Sequence, residues 1–189
     1  LAEAVYGLPE RTRDQLCGAR LIATPGCYVT TATLALAPLL DAAVIEPTGI
    51  IVDAASGVSG AGRSPTASTT FCAVDENFTA YGLLDHRHTP EIEQNLAAAA
   101  GTDTSVLFTP HLAPMNRGIL ATCYARPVGA TSTDELLATL RAAYADERFV
   151  VVIDGAPSTK LTASPSRVWS DSPAQAQKRS ESSPYCTSS

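Results

Sequence analysis

The sequence predicts a layered domain of α+β or α/β class. Three observations carry that expectation: an apolar run at helical spacing after residue 27, a continuous apolar run at 50–56, and two strand-like runs after residue 104 that lead into a second long helical pattern. In chain order, GARLIA (18–23) reads as a short strand entering the Pro25-Gly26 turn. Residues 27–44 read as a helix in which Leu34, Leu36, Leu39, Leu40 and Val44 share a buried stripe. IIVDAAS (50–56) ends in small residues and reads as a buried strand, and SGVSGAGRSPTAS as loop. TPEIEQNLAAAAG (89–101) carries helix punctuation: Thr89 to cap, Pro90 at the first helical position, Glu91 and Glu93 in the first turn, and Gly101 as the stop. TSVLFTPHL and GILATCYARPV read as strands, TSTDELLATLRAAYADERF as a helix to about residue 145, and FVVVID as a further strand.

Composition sets the outer bounds. The 189 residues are 45% hydrophobic, enough for one real core, and the net charge is −6. Lys and Arg are scattered, so neither a nucleic-acid stripe nor a basic membrane helix is expected. No apolar run reaches the roughly 18 residues of a spanning helix. LAEAVYGLPE has no secretory pattern and no initiating Met, and the chain reads as a piece of something longer. Five cysteines, Cys17, Cys27, Cys72, Cys123 and Cys186, form no C-x-x-C pair. An odd count without that spacing argues against a disulfide framework and against a metal site, and points to a reducing, cytoplasmic setting.

Four stretches offer chemistry. In TPGCY, Cys27 stands where a turn becomes a helix. Helix N-termini aim N–H dipoles at such a sulfur and favour its charged, reactive form. The same position also suits a small buried hydrophobe, and the local sequence leaves both readings open. In DHRHTPE, His86 and His88 alternate, which in extended backbone puts both on one side with Arg87 opposed. Histidine is the usual acid–base group near neutrality, yet a surface pair at a helix entrance accounts for the pattern equally. GVSGAGRS approaches the phosphate loop G-x-x-x-x-G-K-[ST], but Arg63 replaces the lysine and a poor helix follows. A glycine loop laid against a flat or anionic ligand survives, with Arg63 available to an anion. In PMNRGIL, Arg117 precedes a strand and suits a carboxylate or phosphate clamp.

Together, AVYGLPE, TPGCY, SGVSGAGR, ENFTAYGLLDHRHTPEIEQ and FTPHLAPMNRGIL resemble the N-acetyl-gamma-glutamyl-phosphate reductases of arginine biosynthesis, in order and spacing, from about residue 4 to about 155. The resemblance implies an α+β fold with a mixed, largely antiparallel sheet covered by helices, the catalytic and dimerisation domain of a semialdehyde-dehydrogenase-like enzyme. It implies that 1–23 close a Rossmann domain, that 24–155 form the catalytic domain, and that the family acts as a homo-oligomer on a small acyl-phosphate substrate with NADP (NADPH) and no metal. Cys27 matches the nucleophile and His86 the acid–base histidine. His88, Arg87, Tyr81, Arg63, Arg117 and Glu91 match substrate-binding positions, with Glu91 placed to orient a histidine. Ser56, Gly57, Ser59 and Gly60 match the loop at the nicotinamide end of the cofactor. A relative that reduces the one-carbon-longer aminoadipyl homologue stays open, because one methylene changes binding by only about 1–3 kcal/mol.

Two departures stand out. Thr24 and Val29 replace the Asn and second Pro of the family's Asn-Pro-Gly-Cys-Tyr-Pro-Thr motif. After about residue 155 a Ser-, Pro- and Gln-rich tail (156–189) replaces the family's closing segment. Such a composition offers little apolar surface to offset ordering entropy, so it reads as disordered or as a frame shift near 163–165. On this reading the piece alone is inactive.

Overall fold

The computed structural model describes residues 3–159. The tail expectation, from residue 160 on, lies outside the described residues. Two short parallel strands, β1 (Val5–Tyr6) and β2 (Ile22–Ala23), open the chain and are joined through helix α1 (Pro9–Leu16). Composition alone had pointed only to the second strand. Pro9 begins α1, where a missing N–H costs nothing, and the helix kinks at Thr12, whose hydroxyl bonds back to the Tyr6 and Leu8 carbonyls.

Helix α2 runs from Cys27 to Asp41. Its buried face is Tyr28, Val29, Ala32, Thr33, Leu36, Ala37, Pro38 and Leu40; Leu34 and Leu39 are only partly covered, so the stripe starts earlier and is narrower than the leucines suggest. Pro38 sits inside this helix and cannot donate to the Leu34 carbonyl. The hydroxyl of buried Tyr144 donates there instead, at 2.6 Å.

The main sheet holds four strands in the order β4–β5–β3–β6: β4 (Thr79–Ala80), β5 (Val106–Leu112), β3 (Ile50–Ser56) and β6 (Ile119–Tyr124). It is mixed: β3 runs parallel to β5 and antiparallel to β6, and β4 runs antiparallel to β5. Two of its three pairings are therefore antiparallel, and the α+β architecture stands. Along β3 burial alternates strictly, with Ile50, Val52, Ala54 and Ser56 turned inward. Ile50, Val52 and Ala54 meet α2 and α4 (Thr89–Ala100), with Val106 and Phe108 from β5, in one core. The other face carries the register rows Leu107–Ile51–Tyr124, Thr109–Asp53–Thr122 and His111–Ala55–Leu120, with Phe78 stacked on His111 at one end. Leu107 is 48% and Tyr124 54% exposed there.

Helix α4 ends at Gly101 in the left-handed region, as expected, but its N-cap is His88 rather than Thr89, which is the first helical residue. Helix α5 (Thr133–Ala143) starts with a reciprocal capping box between Ser132 and Glu135. A four-residue helix, α3 (Phe71–Val74), and two 3-10 turns occupy the 57–74 connection. FVVVID forms no strand. Phe149 is 81% exposed, and among the described residues no strand lies alongside to complete a ladder. Cys27, Cys72 and Cys123 are free thiols.

Candidate active site

The PG turn ends with Gly26 as N-cap in extended backbone, and Cys27 is the first residue of α2. No side chain caps this end, so first-turn N–H groups face outward beside the thiol. Cys27 is exposed, not packed among aliphatics. The hydroxyls of Thr30 and Thr31 turn back to the carbonyls of Gly26 and Cys27.

An open cleft of about 440 Å³ lies over this helix start, lined by Cys27, Thr30, Thr31, the 56–60 loop and the Gly118-Ile119 turn. The four loop positions read from sequence, Ser56, Gly57, Ser59 and Gly60, all line it together with Cys27. The loop is held by main chain: Gly57 N–H donates to Gly118 O, Val58 N–H to Met115 O and Ser59 N–H to Asn116 O. Gly57 packs so tightly that a Cβ there would stand 2.5 Å from the Arg117 nitrogen.

The histidines come from the turn before α4. It is not extended, yet both rings converge. The His86 and His88 rings lie 4.8 Å apart at 72°, both edge-on to the buried Tyr28 ring, at 5.8 and 6.0 Å. Tyr81 and Phe108 enclose His86 further, at 5.6 and 5.2 Å. The His88 N–H donates to His86 Nδ1 at 3.2 Å, which leaves neutral His86 with its proton on Nε2. His88 stands against the residue before the thiol: a Cβ on Gly26 would lie 2.4 Å from His88 Nε2. The other nitrogen of that ring, Nδ1, is buried without a hydrogen-bond partner among the described residues. Burial, reinforced by the neighbouring His88 and Arg87 charges, lowers the His86 pKa; burial and then Arg87 lower that of His88, which Glu91 partly opposes.

The remaining expected residues divide. The Tyr81 hydroxyl pairs with that of Tyr28 at 2.9 Å. Glu91 accepts from the Tyr6 hydroxyl at 2.7 Å rather than from a histidine, and Asn95 donates to the same Tyr6 oxygen. Burial, then the bond to Glu91, pushes the Tyr6 pKa up to about 12, so Tyr6 stays a donor. Arg63, Arg87 and Arg117 are exposed and form no ion pair among the described residues; Arg117 flanks the cleft through its backbone, and Arg63 is outside its lining. Sequence reasoning passed over Tyr28, Thr30, Thr31, Gly118 and Ile119. Helical spacing after Cys27 was the available signal for the threonines; the PMNRGIL turn was marked for Arg117, whereas Gly118 and Ile119 line the cleft.

An exposed cysteine at a helix start shares a cleft with a glycine loop, with a histidine packed on the preceding Gly26, in an α+β domain of the semialdehyde dehydrogenase class. Residues 27–177 match the family model described as semialdehyde dehydrogenase, dimerisation domain, and the chain belongs to that family. The match continues past the compositional break near residue 155. The chain is 51% identical over 153 residues to the N-acetyl-gamma-glutamyl-phosphate reductase of Magnetococcus marinus, covering 81% of this chain and 44% of that relative. It is 54% identical over 151 residues to the reductase of the same name from Rhodospirillum rubrum, covering 80% and 43%. The resemblance carried by the five motifs thus holds over most of the chain, which spans about half the length of the curated relatives it matches. In fold it is similar to aspartate semialdehyde dehydrogenase II from Vibrio cholerae (TM-score 0.57, 17% identity, 75% of this chain and 49% of that one). A structure described as that of a probable aspartate-semialdehyde dehydrogenase from Pseudomonas aeruginosa gives a TM-score of 0.52 at 16% identity, covering 78% and 50%.

Proposed function

We propose that residues 24–155 are the catalytic domain of an NADP-dependent acyl-phosphate reductase, that 1–23 close its cofactor domain, and that the substrate is N-acetyl-glutamyl phosphate. One observation carries the reading: the exposed Cys27 thiol shares a cleft with the Ser56–Gly60 loop, while a histidine ring packs on Gly26 immediately before it. The curated relatives' reductase name gives the substrate.

The chain's residues fit the cofactor. Gly60 and Gly118 leave the cleft beside the thiol open, and its lining of small residues suits a flat ring. Ser56, Gly57, Ser59 and Gly60 would hold the nicotinamide end; when bound, the cofactor supplies a hydride. Cys27, as thiolate, attacks the acyl carbon; a carbon–sulfur bond forms, the carbon–oxygen bond to phosphate breaks, and phosphate leaves with its electron pair. The outward N–H groups of the first turn of α2 face the oxygen that gains charge. His88, whose Nε2 stands against Gly26, takes the thiol proton, and His86, which carries its proton on Nε2, donates a hydrogen bond to that oxygen. Arg87, Arg63 and Arg117 are candidates for the substrate's anionic groups, with Tyr81 and Glu91 holding the histidine side of the site in place. The uncovered sheet face is where a second copy of the chain packs.

The test joins this segment to the complementary half of the Magnetococcus marinus relative. Phosphate-dependent reduction of NADP by N-acetylglutamate semialdehyde is then measured. Cys27→Ser should lower the rate by at least about 10³-fold. Retained activity in that variant would sink the nucleophile assignment.

A further inference from the structure

We propose that Tyr28 is a positioning residue that holds the His86–His88 pair in register with the thiol of Cys27. The inference rests on the reading of Cys27 and the histidines above, and assigns a task to a side chain that the chemistry itself leaves unused.

Tyr28 follows the cysteine directly, so the two share the first turn of α2 and move as one rigid piece. Its side chain is only 3% exposed, so the ring is fixed in the core at this end of the helix. Both imidazoles meet it edge-on, and Phe108 meets it at 5.2 Å from the sheet side. The ring is thus the one surface shared by both histidines and anchored in the core. Aromatic edge-to-face contacts of this kind contribute about 0.5–1.5 kcal/mol beyond burial, enough to select one ring orientation.

The hydroxyl adds a second constraint. It donates to the His111 carbonyl on β5 at 3.3 Å. Its oxygen also pairs with the Tyr81 hydroxyl at 2.9 Å, a bond in which either hydroxyl can donate. Tyr81 is itself a wall of the His86 enclosure. Burial drives the Tyr28 pKa well upward, so the hydroxyl keeps its proton through the neutral range. One side chain therefore ties the cysteine helix, strand β5 and the histidine turn together.

Histidine NMR titration tests this on the whole 189-residue chain, with Cys27 alkylation by iodoacetamide at pH 7 alongside. The groups facing His86 are His88, Arg87, Asp85, Tyr28 and Tyr81; those facing His88 are His86, Arg87, Glu91 and Tyr28. Tyr28→Leu removes the ring and should raise both titration midpoints, by about half a unit or more as water enters. Tyr28→Phe keeps the ring but releases Tyr81, and should raise the His86 midpoint alone. In both variants the alkylation rate should change at least about 3-fold, a barrier change of roughly 0.6 kcal/mol. A stability-only role lowers the melting temperature and leaves the rest unmoved. If folded Tyr28→Phe shows the wild-type His86 midpoint and the wild-type alkylation rate, the proposal is overturned, whatever Tyr28→Leu does. Because neither readout needs cofactor or turnover, its failure is distinct from failure of the reductase reading, which the Cys27→Ser chimera decides.

Discussion

Gly26 shows how little room separates the histidine pair from the nucleophile. Its φ of −64° and ψ of 154° are open to any residue, so substituting it strains no backbone. The contact is purely steric: an added methyl would stand 2.4 Å from His88 Nε2 and within 2.8 Å of two ring carbons. Gly26→Ala should therefore displace the His88 ring, move its NMR titration midpoint, and cut turnover of the chimeric enzyme about 10-fold or more, with the circular-dichroism spectrum unchanged. The two imidazoles also set a pH dependence. Their pKa values are lowered from the ordinary 6.5, mainly by burial, so the unfolded chain binds the protons more readily. Their contribution to stability is complete above pH 6.5 and is lost as pH falls below it through the lowered folded-state values. Urea midpoints should decline between pH 7.5 and 5, and the decline should be shallower in His86→Gln/His88→Gln; equal slopes would refute the assignment. At this scale the sequence was informative where chemistry is unusual. Cys27 and the histidine pair stood out by residue type and neighbours. Tyr28 did not, because a tyrosine at a buried helical position reads as core, and only the fold reveals that two distant imidazoles rest on it.

Elements were legible where burial and punctuation agree. Strand β3 falls on 50–56 as read, and α4 ends on Gly101, because a strictly alternating strand and a left-handed stop are local properties. FVVVID failed for the opposite reason: a strand needs a neighbour's hydrogen-bonding groups, which an apolar run does not supply. Helix α2 carries the other non-local debt. Pro38 leaves the Leu34 carbonyl without its usual partner, and Tyr144, more than a hundred residues away, fills the gap. Tyr144→Phe should destabilise the chain by about 1–3 kcal/mol in urea titration, since the carbonyl is left unpaired. The assignment is checked by restoring a local donor. In Pro38→Ala the residue-38 N–H becomes available to Leu34, so the cost of Tyr144→Phe should shrink in that background. An unchanged cost would show that Tyr144 acts by packing alone.

For the whole molecule the decisive feature is the bare side of the sheet. Helices α2 and α4 cover one face, whereas the rows ending in Leu107, Tyr124 and Leu120 stay exposed, with Asp53 as the one acid in the pattern. Sequence alternation along β6 signals one apolar and one mixed face, but says nothing about what lies opposite. The exposed apolar side chains Leu107, Tyr124 and Leu120 flank a polar Thr109–Asp53–Thr122 row, a mix that suits a contact surface. The matching family model is described as a dimerisation domain, and a second copy is the occupant we propose. A two-fold pairing places the same patch on itself, so one substitution appears twice in the interface. Lysine at Leu107 or Leu120 replaces a side chain already 48% or 40% exposed, so the folded monomer loses little while the interface gains two unpaired charges. Sedimentation velocity should show the wild-type chain as a dimer, and Leu107→Lys and Leu120→Lys as monomers with wild-type circular dichroism. Ala98→Lys, on the exposed side of α4, should remain dimeric. A wild-type monomer at about 100 μM would refute the sheet-face dimer, since an interface of standard size, about 1,600 Å², holds well below that concentration.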